Sequence, residues 1–212
     1  MKILLTKVGK RYNRDWIFRH LDYDFSPGNS YAITGPNGSG KSTLLQVIAG
    51  AVVHTEGKLS YHPEAKANGN FDPANAYQYL SIAAPYLELI EEMTLNEFLE
   101  FHRHFKPFLN QLSNAEIASS VGLKTSLNKQ IRYFSSGMKQ RTKLAQAILS
   151  ETPVVLLDEP CTNLDEEGIA LYHSLIAAYG RNRLLIVSSN DRQEYDFCEK
   201  RLSILDYKIS QL

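Results

Sequence analysis

The chain is predicted to fold as an α/β protein. Its main body is a largely parallel sheet with crossover helices, accompanied by an N-terminal antiparallel β subdomain and an inserted α-helical subdomain. Three observations lead there. Short apolar runs of strand length recur at Tyr31-Ala32-Ile33, Val154–Leu157 and Leu184–Val187, as expected for strands buried on both faces. Helical patterns follow these runs, so strand and helix alternate. Two further regions break that rhythm, one reading as short strands and the other as helix.

In chain order, Ile3–Phe25 and Lys58–Ile82 read as short strands around polar turns, with HPEAKANGNFDPANA (His62–Ala76) as a loop-rich link. Tyr31–Ile33 runs into a glycine-rich turn and then a helical pattern. From Thr94 to about Leu127 the chain reads as helical. Thr94 and Glu97 have capping-box spacing, and Leu95, Phe98, Leu99, His102 and Phe105 form a stripe that suits packing better than a cofactor. His102 and His104 are two residues apart, hence on different helix faces, and make a poor metal pair. After Val154–Leu157, Asp165 is placed to cap a helix carrying Ile169, Tyr172, Leu175, Ile176 and Tyr179 on one face. Gly180 is placed to end it. The third run, Leu184–Val187, is expected to be followed by turn residues and another helical pattern.

With 212 residues there is enough chain for one sizeable core, read as a single domain over residues 1–212 with the helical subdomain at about 90–150. Hydrophobic residues make up 43% and charged residues 22%, an ordinary globular balance. Lys plus Arg equals Asp plus Glu at 23 each, which argues against a nucleic-acid-coating protein; no nucleic-acid partner is expected. Cys161 and Cys198 stand in no metal or redox spacing, so a reduced, cytoplasmic setting is expected. MKILLTKVGKRY has too short an apolar run for a signal peptide, and no run of about 18 apolar residues occurs, so the expectation is a chain soluble by itself.

GPNGSGKST, Gly35 to Thr43, satisfies the pattern G-x-x-x-x-G-K-S/T between the strand SYAIT and the helical run LLQVIAG. Gly35, Gly38 and Gly40 let the backbone turn, so that successive N–H groups of the loop, which also holds Pro36, Asn37 and Ser39, can face one anion. The helix beginning near Lys41 adds its positive end. Lys41 would neutralise β- and γ-phosphate oxygens, and the Ser42 hydroxyl, with Thr43 beside it, would ligate Mg²⁺. The expected fold is therefore a P-loop NTPase sheet that binds a nucleoside triphosphate with Mg²⁺, though the loop alone does not separate kinases, GTPases and motor-like ATPases. No N-K-x-D guanine-reading motif occurs. Tyr12, upstream of this loop, is a candidate ring for adenine stacking, with Trp16 and Phe18 as rivals.

FSSGMKQR (Phe134–Arg141) and DEPCTNLD (Asp158–Asp165) follow in order. Together with the P-loop they resemble the ABC ATPase family over essentially the whole chain. FSSGMKQR is similar to the LSGGQ signature, DEP to Walker B, and Asn163–Asp165 to the D-loop. The resemblance implies that Asp158 holds Mg²⁺, that Glu159 polarises the attacking water, and that Ser135, Ser136 and Gly137 form a second phosphate cradle. It also implies a head-to-tail dimer, with ATP between one protomer's P-loop and the other's signature. Asp165 would lie at that seam or serve as a helix cap. Cys161 stands where relatives often carry Thr or Ser and reads as an inert small residue.

Two switch residues of the family pattern are missing, and the signature has Ser136 for Gly and Met138 for Gln. The switch Gln is replaced near Ala84 or Pro85 in SIAAPYLEL, where neither side chain can ligate a metal or donate a hydrogen bond. The switch His is replaced by Asn190, which can bond a γ-phosphate oxygen but carries no imidazolium charge. Catalysis is thus assigned to Glu159 and Lys41 with help from Asn190, and is expected to be slow. The favoured function is the ATP-binding and ATP-hydrolysing subunit of an ABC transporter. Such a subunit would pair with a second copy or a related ATPase and sit on the cytoplasmic face of the cell membrane beneath a separate polytopic permease. PYLEL (Pro85–Leu89) is the candidate docking segment for that partner. The alternatives are a soluble ABC ATPase of an assembly machine, such as one for iron–sulfur clusters, or a weakly hydrolysing regulatory subunit.

Overall fold

A computed structural model describes residues 1–63 and 73–208. The predicted link His62–Ala76 therefore lies largely outside the described residues. Strands β1 (Lys2–Tyr12) and β2 (Asp15–Phe25) form a long antiparallel hairpin, with Tyr12 opposite Asp15 across a turn in which Asn13 takes φ 52°. Strand β3 (Ser30–Thr34) leads through the glycine-rich loop into helix α1 (Lys41–Ile48). Strand β4 (Glu56–His62) pairs antiparallel with β1, completing a three-stranded sheet in the order β2-β1-β4.

Strand β5 (Leu80–Ala83) instead enters a second sheet. The predicted β region over Lys58–Ile82 is thus divided: β4 is mostly exposed or half-buried, whereas LSIA is an almost wholly buried run and pairs parallel with β6. Helices α2 (Leu95–Phe105), α3 (Asn114–Ser120) and α4 (Ser136–Ile148) follow, then strand β6 (Val154–Asp158), helix α5 (Glu166–Tyr179), and strands β7 (Leu184–Ser188) and β8 (Lys200–Ser203). The second sheet has the order β5-β6-β7-β3-β8, and all its pairs are parallel. The three apolar runs are its three central strands.

Period-2 alternation in those strands divides the core in two. Val154, Leu156, Leu184 and Ile186 join α1 and the β1–β2 hairpin on one face, while Val155, Leu157, Leu185 and Val187 join α4, α5 and the helical segment on the other. Each such side chain, wholly buried, contributes about 1.5–3 kcal/mol. Sequence and structure differ in three places. The helical segment is broken after α2, because Pro107 lacks an N–H and holds Lys106 extended at φ −143°, ψ 117°. Phe105 is 69% exposed at the last residue of α2, where its ring pairs with Phe101 instead of the core. After β7 the chain makes only a 3₁₀ turn (Arg192–Glu194), not a longer helix. The predicted α5 is present, with Asp165 accepting from Gly168 N–H at its start and Gly180 at its end.

Candidate active site

The glycine-rich loop lies at the C-terminal end of β3, where parallel sheets present their ligands. Gly40, at φ 101°, is pressed against β2: an added Cβ would come within 2.3 Å of Ile17 Cγ2. Gly35, at φ 151°, would bring a Cβ within 2.6 Å of Ile204 and 2.8 Å of Ser39 Oγ. These close approaches require glycine, and Gly38, at φ 73°, shares the left-handed backbone. Pro36, Asn37 and Gly38 are exposed at the tip. No side chain caps α1, so its first N–H groups are left for a ligand. Lys41 is buried and its Nζ donates to Gly35 O at 3.0 Å and Pro36 O at 3.2 Å, which holds the ammonium inside the loop. Ser42 and Thr43 follow in the first turn of α1, partly buried.

Asp158 ends β6 directly opposite Ser188, the last residue of β7. Burial raises its carboxyl pKa above the ordinary range, while the nearby Ser188 and Ser42 hydroxyls and the Lys41 charge pull the other way. Among the described residues, the buried side-chain atoms without a hydrogen-bond partner are Ser39 Oγ, Asp158 Oδ1 and Ser188 Oγ. Asp158 Oδ1 and Ser188 Oγ stand together at the ends of paired strands, while Ser39 Oγ lies in the glycine-rich loop beside Gly35; each costs about 1–3 kcal/mol. A buried carboxylate with an orphaned oxygen, beside the Ser188 and Ser42 hydroxyls and the Lys41 charge, has the ligand chemistry that suits a hydrated hard cation held against phosphate. The residues therefore fit Mg²⁺ with a nucleotide.

Glu159 follows at φ 43°, a left-handed conformation costly for a residue with a Cβ. Its N–H donates to Ser188 O at 2.8 Å and its carbonyl accepts from Thr162 N–H at 3.1 Å. The strained turn delivers the side chain to a cleft of 330 Å³ that it shares with Asn37, Cys161, Asn190, Asp191 and Glu194. Asn190 is exposed there, just beyond β7. The fold thus brings Lys41, Ser42, Asp158, Glu159 and Asn190 around the end of one loop. Cys161, in the same wall, has its thiol pushed up to about 12 by burial and by Glu194 and Asp191, which keeps it unreactive at neutral pH.

Ser135, Ser136 and Gly137 lie elsewhere. They line a second cleft of 440 Å³ with Gly122, Arg141, Asn163 and Asp165. Ser135 caps α4, accepting from Met138 N–H at 3.2 Å, and Asp165 caps α5 while pairing with Arg141 at 3.1 Å. Segment Glu159–Asp165 forms part of the wall of both clefts, with Glu159, Cys161, Thr162 and Leu164 on one side and Asn163 and Asp165 on the other. A single chain therefore displays the two groups of motif residues apart.

A profile described as ABC transporter matches residues 18–162. The chain belongs to the ABC transporter family. An uncharacterized ABC transporter ATP-binding protein, YybJ of Bacillus subtilis, is 28% identical over 91% of this cassette and 87% of its own length. The cytochrome c biogenesis ATP-binding export protein CcmA of Rhizobium meliloti is 31% identical over 84% of this cassette and 86% of its own length. Among solved structures, the dimeric ATP-binding cassette MJ0796, in a post-hydrolysis state bound to ADP and Pi, superposes with a TM-score of 0.80 at 23% identity. The match covers 99% of this chain and 97% of that one, and it shows the shared fold.

In this cassette the turn after β5 holds Ala84, wholly buried, and Pro85, exposed. Lys143 of α4 donates to both of their carbonyls, at 3.3 and 2.9 Å. The next residue, Tyr86, lies within the field of Asp158; burial first, then that charge, pushes its phenol up. Sequence reasoning missed Lys143 and Glu194, and named Tyr86 only within PYLEL and Gln140 only within FSSGMKQR. Gln140 left one signal, a polar residue in register with the apolar face at Leu144, Ala147 and Ile148. Tyr12 stands at the end of β1, 46% exposed, with Lys10 Nζ 4.6 Å from its ring centroid. Phe18 is wholly buried and is removed from the stacking candidates, while Trp16 has the Arg19 guanidinium 4.3 Å from its ring.

Proposed function

We propose that this cassette is the ATP-binding and ATP-hydrolysing subunit of an ABC transporter, working as a head-to-tail dimer beneath a separate membrane permease. The carrying observation is that Lys41 and Ser42 stand beside Asp158, that the next residue, Glu159, shares a cleft with Asn37 of the phosphate loop and with Asn190, and that Ser135–Gly137 line another cleft. Lys41 and the loop N–H groups from Gly35 to Thr43 bind the phosphates. Ser42 and Asp158 would hold Mg²⁺, which neutralises charge on the phosphate oxygens when bound. Glu159 orients and polarises the attacking water, Asn190 donates to a γ-phosphate oxygen, and an exposed Tyr12 stacks on adenine. Residues 1–212 act as one cassette, with about 90–150 as its helical part.

A second feature supports the transport reading. Gln46, Val52, Tyr77, Leu80, Ile82, Tyr86 and Leu87 are among the residues lining a mainly apolar groove of 460 Å³. PYLEL is divided by it: Tyr86 and Leu87 face the groove, whereas Leu89 joins the core. The apolar lining of the groove suits an apolar helix end of a partner chain; no described helix is itself long and apolar enough to cross a membrane. That partner would place the cassette on the cytoplasmic face of the membrane. Export by the CcmA relatives is consistent with this job. Ala84, Pro85 and Asn190 favour a slow catalyst and keep a weakly hydrolysing regulatory subunit as the second reading.

The test is steady-state phosphate release with and without Glu159→Gln. Turnover is expected to fall at least about 100-fold while an ATP-bound dimer accumulates in light scattering. Release unchanged by the substitution would overturn the hydrolytic role. Recovery from detergent-solubilised membranes with soluble scaffold proteins alone would favour an assembly machine.

A further inference from the structure

The peptide unit between Pro160 and Cys161 is gripped on both of its polar atoms by side chains. Its carbonyl oxygen accepts from Gln140 Nε2 at 2.7 Å, and its N–H donates to Glu194 Oε1 at 2.7 Å. Both side chains are buried, at 3% and 5% exposure. They come from different elements: Gln140 from α4, five residues past the signature cap Ser135, and Glu194 from the 3₁₀ turn immediately after Asn190. That turn is itself held. Asp191 Oδ1 accepts from Gln193 N–H at 3.0 Å, and the buried Tyr172 hydroxyl donates to Glu194 O at 2.8 Å.

The gripped unit lies one residue beyond Glu159, whose φ of 43° does not hold without support. A backbone pair is usually satisfied by other backbone groups, and a water or a hydroxyl would satisfy these atoms at less cost. Here a buried carboxylate, which the Ser189 hydroxyl also bonds, does this in a wall already shared with Glu159 and Asp191. Burying a charge beside like charges is expensive, so the arrangement calls for a return beyond filling a hydrogen bond. Its geometry supplies one: the crossbar links the signature helix and the Asn190 turn to the backbone that aims Glu159.

Accordingly, we propose that Gln140 and Glu194 are positioning residues that act through the Pro160–Cys161 peptide to set Glu159 for attack on ATP. The inference rests on the hydrolytic reading above. It predicts that Glu194→Ala and Gln140→Met each lower kcat about tenfold or more while KM for MgATP stays within about twofold, because the phosphate loop is untouched. Glu194→Gln keeps an acceptor for Cys161 N–H and is expected to restore kcat to within about threefold of wild type. The double variant Gln140→Met/Glu194→Ala should be less than additive, since both act on one peptide.

Amide hydrogen exchange over residues 159–165 gives a readout independent of turnover. It should quicken about tenfold in Glu194→Ala and return to wild type in Glu194→Gln. Unchanged exchange in Glu194→Ala overturns the clamp whether or not the chain hydrolyses ATP. Quickened exchange with unchanged kcat, or kcat and KM worsening together, overturns the positioning role. A wild-type chain without ATP turnover but with the expected exchange pattern supports the clamp and refutes the hydrolytic reading instead.

Discussion

Asn190 and an imidazole at the same place share the ability to donate a hydrogen bond but differ in charge. Beside a γ-phosphate an amide donor stabilises a pentavalent arrangement less than an imidazolium would, which is the ground for proposing slow turnover. Asn190 is exposed in the cleft of Glu159 and Asn37 rather than built into the core, so its removal leaves the fold intact. Asn190→Ala is expected to lower kcat about tenfold and ATP affinity by less than about twofold, read by single-turnover hydrolysis and by calorimetry with a non-hydrolysable analogue. Equal losses in both would show a ground-state contact only. Neighbouring Glu159 teaches a related lesson. DEP marked the carboxylates in the sequence, but the left-handed turn that aims the second one is set by Ser188 O and Thr162 N–H, which come from another strand and from the following turn.

Helix α2 illustrates how far pattern reading reaches. Its capping box is present as spaced, Thr94 Oγ1 accepting from Glu97 N–H while the Glu97 carboxylate accepts from Thr94 N–H. The stripe was legible as packing for Leu95, Phe98 and Leu99. His102 in that stripe is buried because its ring bridges to α4 and the residues after it: Nε2 lies 2.8 Å from Ser150 Oγ and Nδ1 3.2 Å from Gln146 Nε2. Burial, then the charges of Lys106 and Arg103, push its pKa down to about 4 from 6.5. The unfolded imidazole binds its proton as pH falls through ~6.5, whereas the folded one waits until about 4, so stability is lost across that window. The loss amounts to at most about 3 kcal/mol. His102→Gln removes the titration. In urea unfolding, its deficit relative to wild type should narrow by up to about that amount between pH 7 and pH 4. A deficit independent of pH would contradict a buried neutral imidazole. The long hairpin was less legible, since positive φ at Lys7 and His20 breaks the two-residue alternation within β1 and β2.

The assembled cassette shows why its motifs, each contiguous and readable, still left the site incomplete on paper. The phosphate loop and DEP are short-range signals, and the central strands are buried on both faces, so composition alone marks them. Contacts such as Gln140 to Pro160 and Glu194 to Cys161 span 20 and 33 residues and exist only once the parallel order β5-β6-β7-β3-β8 is set. The same topology separates the P-loop cleft from the signature cleft by one stretch, Glu159–Asp165, so a head-to-tail pair would create two composite sites at once. That proposal has a quantitative consequence. Lys41→Ala breaks every site through its own phosphate loop, and Gly137→Asp breaks every site through its own signature, so each variant alone should be inactive. Mixed in equal amounts with free exchange of protomers, half the dimers are heterodimers. Each heterodimer has one site made from the intact loop of one chain and the intact signature of the other. About a quarter of wild-type phosphate release should therefore return on mixing. If each chain instead completed its site alone, mixing would restore nothing.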